Sequence, residues 1–198
     1  MKYFFIFILS INAFAGESSR FYDELTSSVG MAMVNYTEDA KTIQGDNVAE
    51  AASGTVTSIA ATLQYKYAKD FKKSFYFAST FPLISSPTGT YISFSTGIEY
   101  YFNDIGAKTG LFNSGTSIQF TPKFRYFAGG EIGGAYLVYT TETSKKSDAL
   151  FEIGGFGGMA YSMSQDWAIK STVGVLKGTG AVTSTMTIKF FIGVTFFL

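Results

Sequence analysis

Large apolar residues occupy every even position from Met186 to Leu198: Met186, Ile188, Phe190, Ile192, Val194, Phe196 and Leu198. The odd positions from Thr185 to Phe197 are mostly small or polar. A β-strand sends successive side chains to opposite faces, so this segment has one greasy face and one mixed face. About ten residues of such alternation, ending in aromatics, is what a tilted strand needs to cross a bilayer. The same period recurs upstream. It predicts strands over about 25–36, 54–68, 124–140 and 185–198. Four more carry the alternating sets Phe75/Phe77/Phe81/Leu83, Ile92/Phe94/Ile98/Tyr100/Phe102, Phe151/Ile153/Met159/Tyr161/Met163 and Trp167/Ile169/Val173/Val175.

Between these segments the alternation lapses into turn chemistry. Short charged or polar turns fall at 69–73 and 164–166, and Ser85-Ser86-Pro87-Thr88-Gly89 is a clear turn signal. Longer polar stretches fall at 37–53, 142–148 and 178–184. The Gly- and Asn-rich stretch 103–122 reads as one long turn; an additional short hairpin, making ten strands, is the alternative. Tight turns and longer loops otherwise alternate, with both chain ends on the tight-turn side. The predicted fold is therefore all-β: a transmembrane, antiparallel, up-and-down barrel of eight strands, with periplasmic turns and extracellular loops.

Composition agrees with this class. Aromatics make up 18% of the chain and charged residues 15%, below the ~25% usual for soluble domains. The greasiness is dispersed in alternation and not massed in helical spans. Only the start of the chain holds an apolar run, 3–11, preceded by Lys2 and followed by Ala13-Phe14-Ala15. This is the pattern of a signal peptide over 1–15 with a small-residue cleavage site. Residues 16–24 then read as a short periplasmic lead-in and 25–198 as the barrel, exported to the outer membrane of a Gram-negative bacterium. Net charge is near zero, which gives no argument for a nucleic-acid partner.

Signal peptide, eight alternating strands and an aromatic-ended last strand together resemble the small outer-membrane barrels of the outer-membrane protein A and X type. The resemblance lies in pattern and covers the whole mature chain. It implies outer-membrane lipid and lipopolysaccharide as surroundings and the barrel-assembly machinery as a folding partner; the oligomeric state stays open, with a monomer favoured. Such barrels usually end in Phe, whereas this chain ends Phe196-Phe197-Leu198.

The charges on the face opposite the apolar set are Lys66, Glu99, Arg125, Glu131, Glu152, Lys170 and Lys189. They point into a lumen too narrow for isolated charges, so they are expected to form a structural ion network. Arg125 and Lys170 are expected to be held by Glu131, Glu152 or Glu99 on sequential strands. Tyr65, Tyr67, Tyr100, Phe102, Tyr161 and Trp167 fall at strand ends on the turn side and read as an interfacial aromatic girdle. The chain holds neither cysteine nor histidine. That removes Ser-His-acid and Cys-His catalysis and the commonest zinc sets, so no enzyme, cofactor or metal is expected. The expected role is structural or surface interaction through the extracellular loops around a closed polar lumen. The alternative is a narrow channel or transporter for small or hydrophobic solutes.

Overall fold

The computed structural model describes residues 23–38, 52–68, 72–103, 108–111, 117–120, 123–141, 144–164 and 166–198. The signal-peptide reading of 1–15 and most of the acidic loop 37–53 lie outside these residues. The strands are β1 (Glu24–Glu38), β2 (Ser53–Ala68), β3 (Lys73–Ser85), β4 (Gly89–Tyr101), β5 (Lys108–Leu111), β6 (Ser117–Phe120), β7 (Phe124–Thr140), β8 (Lys145–Ser162), β9 (Trp167–Thr179) and β10 (Thr183–Phe197).

Eight of them close into a barrel in the order β1-β10-β9-β8-β7-β4-β3-β2. Every neighbouring pair is antiparallel, and β1 closes the ring by pairing with both β2 and β10: Leu25 stands opposite Tyr65 on one side and Phe196 on the other. Closure gives every wall strand a partner on both sides, the condition for a sheet to stand in hydrocarbon, although the β3–β4 ladder runs only from Lys73 opposite Tyr100 to Thr80 opposite Ser93. β5 and β6 form a two-stranded sheet of their own, Lys108 opposite Phe120. The hairpin alternative for 103–122 is thus present, but outside the wall. The barrel keeps eight strands.

Alternation sorts the side chains as the period requires. On β1 the even positions Thr26, Ala32 and Val34 are buried in the lumen, while Val29 and Met31 are exposed outside. Around the wall Ile59, Phe77, Phe94, Ile132, Ile153 and Ile192 continue the outer belt. In water so large an apolar surface would drive aggregation, whereas in hydrocarbon it costs nothing.

The wall is taller than that belt. β7 and β8 run for 17 and 18 residues, against the ~9–11 that a crossing strand needs. The surplus lies at the end away from the chain termini, where the outward residues turn polar: Asn35, Thr55, Ser147, Thr179 and Ser184. Two boundaries read from the sequence move as a result. Residues 145–148 belong to β8, with Lys145 opposite Thr140, and the last loop shrinks to 180–182, because β9 reaches Thr179 and β10 starts at Thr183. Above the belt both faces of a strand are polar, so the ladder continues after the alternation has faded.

The lumen is packed. Its far half is apolar, a cluster that includes Val34, Val56, Tyr91, Leu137, Tyr139 and Leu150. The half nearer the termini is polar and charged, and the far half mixes its apolar cluster with buried Glu152, Thr185 and Thr187, so the expected polar lumen is partly apolar. Some inward glycines make this packing possible. A Cβ on Gly129 would lie 2.4 Å from the Phe156 ring, and one on Gly158 would lie 2.5 Å from the Phe127 ring. Each glycine gives its space to the aromatic of the neighbouring strand.

Candidate functional site

Among the described residues the largest buried group of ionisable side chains lies in the lumen. All seven charges expected on the inner face are there, together with an eighth, Glu24. With Glu24 counted, four carboxylates balance four cations.

The ions fall into three layers. Nearest the termini, Lys66, Arg125 and Lys170 meet Glu24 and Glu99, each of the five nearly or fully buried. Arg125 Nη1 donates to Glu24 Oε1 at 2.7 Å, and Lys66 bridges Glu24 and Glu99, the latter at 3.3 Å. Glu99 is the hub. One of its oxygens accepts from Lys170 at 2.5 Å and Gln64 at 3.1 Å; the other accepts from Lys66 and from the Tyr101 hydroxyl at 2.8 Å. Lys66 also contacts the Tyr101 hydroxyl.

The middle layer is a neutral pair. Lys189 reaches Glu131 at 2.8 Å, and the Tyr76 hydroxyl donates to the other Glu131 oxygen at 2.7 Å. Between the first two layers lies a cavity of about 60 Å³, lined by Ser28, Thr62, Thr80 and Thr172 among others. At ~10–15 Å³ for each water it has room for a few. In the third layer Glu152 accepts from the Tyr91 hydroxyl at 2.5 Å and the Thr187 hydroxyl at 2.6 Å.

The stretch Glu131-Ile132-Gly133-Gly134 recurs as Glu152-Ile153-Gly154-Gly155, and the two lie on paired strands. Ile132 stands opposite Ile153, Glu131 opposite Gly154, and Glu152 opposite Gly133. The two motifs face each other across one ladder, each glutamate beside the other's glycine.

The ion partners correct the expectation of pairing between sequential strands. Lys170 on β9 does meet Glu99, but across the lumen on β4. Arg125 on β7 is held by Glu24 on β1, and neither Glu131 nor Glu152 serves it. In an eight-stranded barrel the interior is only as wide as two long side chains, so partners meet across it as easily as along the wall. The reading of 16–24 as a polar lead-in runs one residue too far, since Glu24 is the first residue of β1. The available signal was parity, since Glu24 continues the inward series of Ser28 and Thr26.

Above the apolar layer, at the mouth farthest from the termini, a second polar group ties the strand ends. Tyr139 and Lys146 both donate to Glu38, at 2.5 and 2.9 Å. Asp148 accepts from the backbone N–H groups of Ala181, Val182 and Thr183 and from the Thr183 hydroxyl at 2.5 Å. Burial raises the Asp148 pKa, but these hydrogen bonds outweigh it and hold the carboxyl below the usual range. The carboxylate thereby pins the 180–182 turn.

The six candidate girdle aromatics stand outside, at the rim where both termini emerge. Tyr65 donates its hydroxyl to Asp23 at 2.6 Å, Tyr100 and Phe102 stack edge-to-face with centroids 5.9 Å apart, and Tyr161 packs on Phe124 at 4.8 Å. Tyr67 is exposed and Trp167 half-buried. Phe75, Phe124, Tyr126 and Phe196 extend the same rim.

No protein-family model matches the chain, and no curated protein matches it in sequence. Solved structures do match its shape. The outer membrane protein OprG from Pseudomonas aeruginosa superposes with a TM-score of 0.55 at 14% identity, over 89% of this chain and 96% of that one. The chain has the fold of the small outer-membrane β-barrels. Neisserial surface protein A aligns at a TM-score of 0.48 and 9% identity, over 87% of this chain and 97% of that one. Ail, the attachment invasion locus protein of Yersinia pestis, aligns at 0.43 and 12%, over 89% of this chain and 100% of that one.

Proposed function

We propose that the protein is an integral outer-membrane barrel with a closed lumen, acting as a structural or surface-interaction element through the segments that join its strands at the far mouth. The observation that carries this reading is the filling of the lumen. An apolar layer of Val34, Val56, Leu137 and the rings of Tyr91 and Tyr139 stands above a buried ion network, and eight strands enclose no more than their own side chains fill. The outer belt supports lipid as its surroundings, with lipopolysaccharide at the far rim and the barrel-assembly machinery acting on the chain during folding. The aromatic rim fits the membrane–water interface on the periplasmic side, where tyrosine and tryptophan present an apolar body and a polar tip. The rival reading, a narrow conduit, draws on the hydroxyl-lined cavity of about 60 Å³, which is bounded by the Glu99 layer on one side and the Lys189–Glu131 pair on the other.

The orientation is testable because the chain has no cysteine of its own. Ser144→Cys at the far mouth is expected to react on intact cells with a membrane-impermeant maleimide. Ser164→Cys, at the terminal rim, is expected to react only after lysis. The reverse pattern would place the termini outside and overturn the surface role.

A further inference from the structure

Arg125 is the least satisfied cation of the lumen. Its Nη1 donates to Glu24 at 2.7 Å, but Nε and Nη2 meet no acceptor among the described residues, although both atoms are buried. These two nitrogens form one edge of the planar guanidinium, with parallel N–H groups spaced for both oxygens of a carboxylate or phosphate. The guanidinium carbon lies over two aromatic rings, 4.7 Å from the Phe197 centroid and 5.9 Å from that of Tyr101, neither of which can accept along the Nε–Nη2 edge as an oxygen would. That edge is the part of the group left to a partner.

Charge points the same way. In this layer Lys66, Arg125 and Lys170 face only Glu24 and Glu99 among the described residues, one positive charge in excess. Each carboxylate is already shared by two cations, so neither is spare for the open edge. The balancing carboxylate, Glu152, lies eight residues along β8 from Ala160, which pairs with Arg125. That is roughly 25 Å along the strand, too far to neutralise the excess locally. A buried cationic donor pair without an acceptor is costly, and an anion relieves both deficits at once. Arg125 is the second residue of β7, so the edge lies close to the rim where both termini emerge.

We propose that the Nε–Nη2 edge of Arg125 binds a small free oxyanion, a carboxylate or inorganic phosphate, admitted from the terminal end of the barrel. This site is independent of the surface role: a barrel that acts only through its far-mouth segments could hold the anion or lack it.

The chain has two arginines, Arg20 and Arg125, so its arginine Nε–H spectrum is simple. The full barrel in dodecyl maltoside micelles, free of phospholipid, would be titrated with sodium formate and with sodium phosphate against chloride at fixed ionic strength. The Arg125 Nε–H resonance, identified by its loss in Arg125→Lys, is expected to move and saturate while that of Arg20 stays. Both salts should raise the urea midpoint of the wild type and leave that of Arg125→Lys unchanged, since lysine keeps the charge and loses the fork. Should Arg125→Lys fail to fold, Glu24→Gln serves instead: it adds to the positive excess, and saturation should come at lower anion concentration. An Arg125 signal that does not saturate, or that moves together with Arg20, overturns the proposal. So does a shift produced by phosphatidylglycerol vesicles and not by the free salts, because the acceptor is then a lipid headgroup.

Discussion

Glu99→Leu is expected to lower the unfolding free energy of the barrel by about 3–5 kcal/mol, the range for removing one partner of a buried ion pair. Lys66 keeps Glu24, whereas Lys170 is left with the neutral Gln64 carbonyl oxygen, 2.9 Å away. The loss thus arises from one stranded ammonium in a buried layer. Removing that ammonium as well, in Glu99→Leu with Lys170→Met, should recover most of the stability, since an apolar pair of similar volume is often neutral or better. Urea titrations in lipid vesicles measure both variants. If the double variant lost as much as the single, the cost would be one of packing and the ionic account of this layer would fail.

The second large effect belongs to the outer face. Ile192 lies at the centre of the outward apolar series of β10, from Met186 to Leu198, and is 49% exposed. Ile192→Arg is expected to cost about 2–4 kcal/mol, as for a charge near the bilayer midplane, whereas Ser184→Arg at the far rim should cost about 0–1 kcal/mol. Vesicle folding titrations showing equal costs would mean that the belt is misplaced. Gly193 is no control for facing. A Cβ there would meet the Ser27 carbonyl oxygen at 2.2 Å, so any side chain is excluded on steric grounds.

The wall was legible in the sequence because lipid reads only one face of each strand. Met186, Ile188, Phe190 and their counterparts had to be apolar at period two, and nothing in their surroundings competed with that demand. The lumen was less legible. Parity placed Lys66, Glu99, Arg125 and Lys170 inside, but partners across a closed tube depend on tilt and stagger, which period two does not encode. Arg125 and Glu24, 101 positions apart, carry no local sign of their contact. The apolar half of the lumen was missed for a related reason. Val34 and Leu137 sit on the inward parity beside outward apolar residues, so the alternation there lacks contrast. Strand ends at the far mouth were lost where Lys145, Lys146 and Asp148 make both faces polar while the ladder continues.

The central claim is that this lumen is shut by its own side chains. Planar-bilayer recording of the purified, unmutated barrel tests it most directly. The account predicts no steady conductance above the bare-membrane baseline, with openings only in variants that strand a lumen charge, such as Glu99→Leu. Large, stable unitary currents from the wild type would contradict it and give the conduit reading first place.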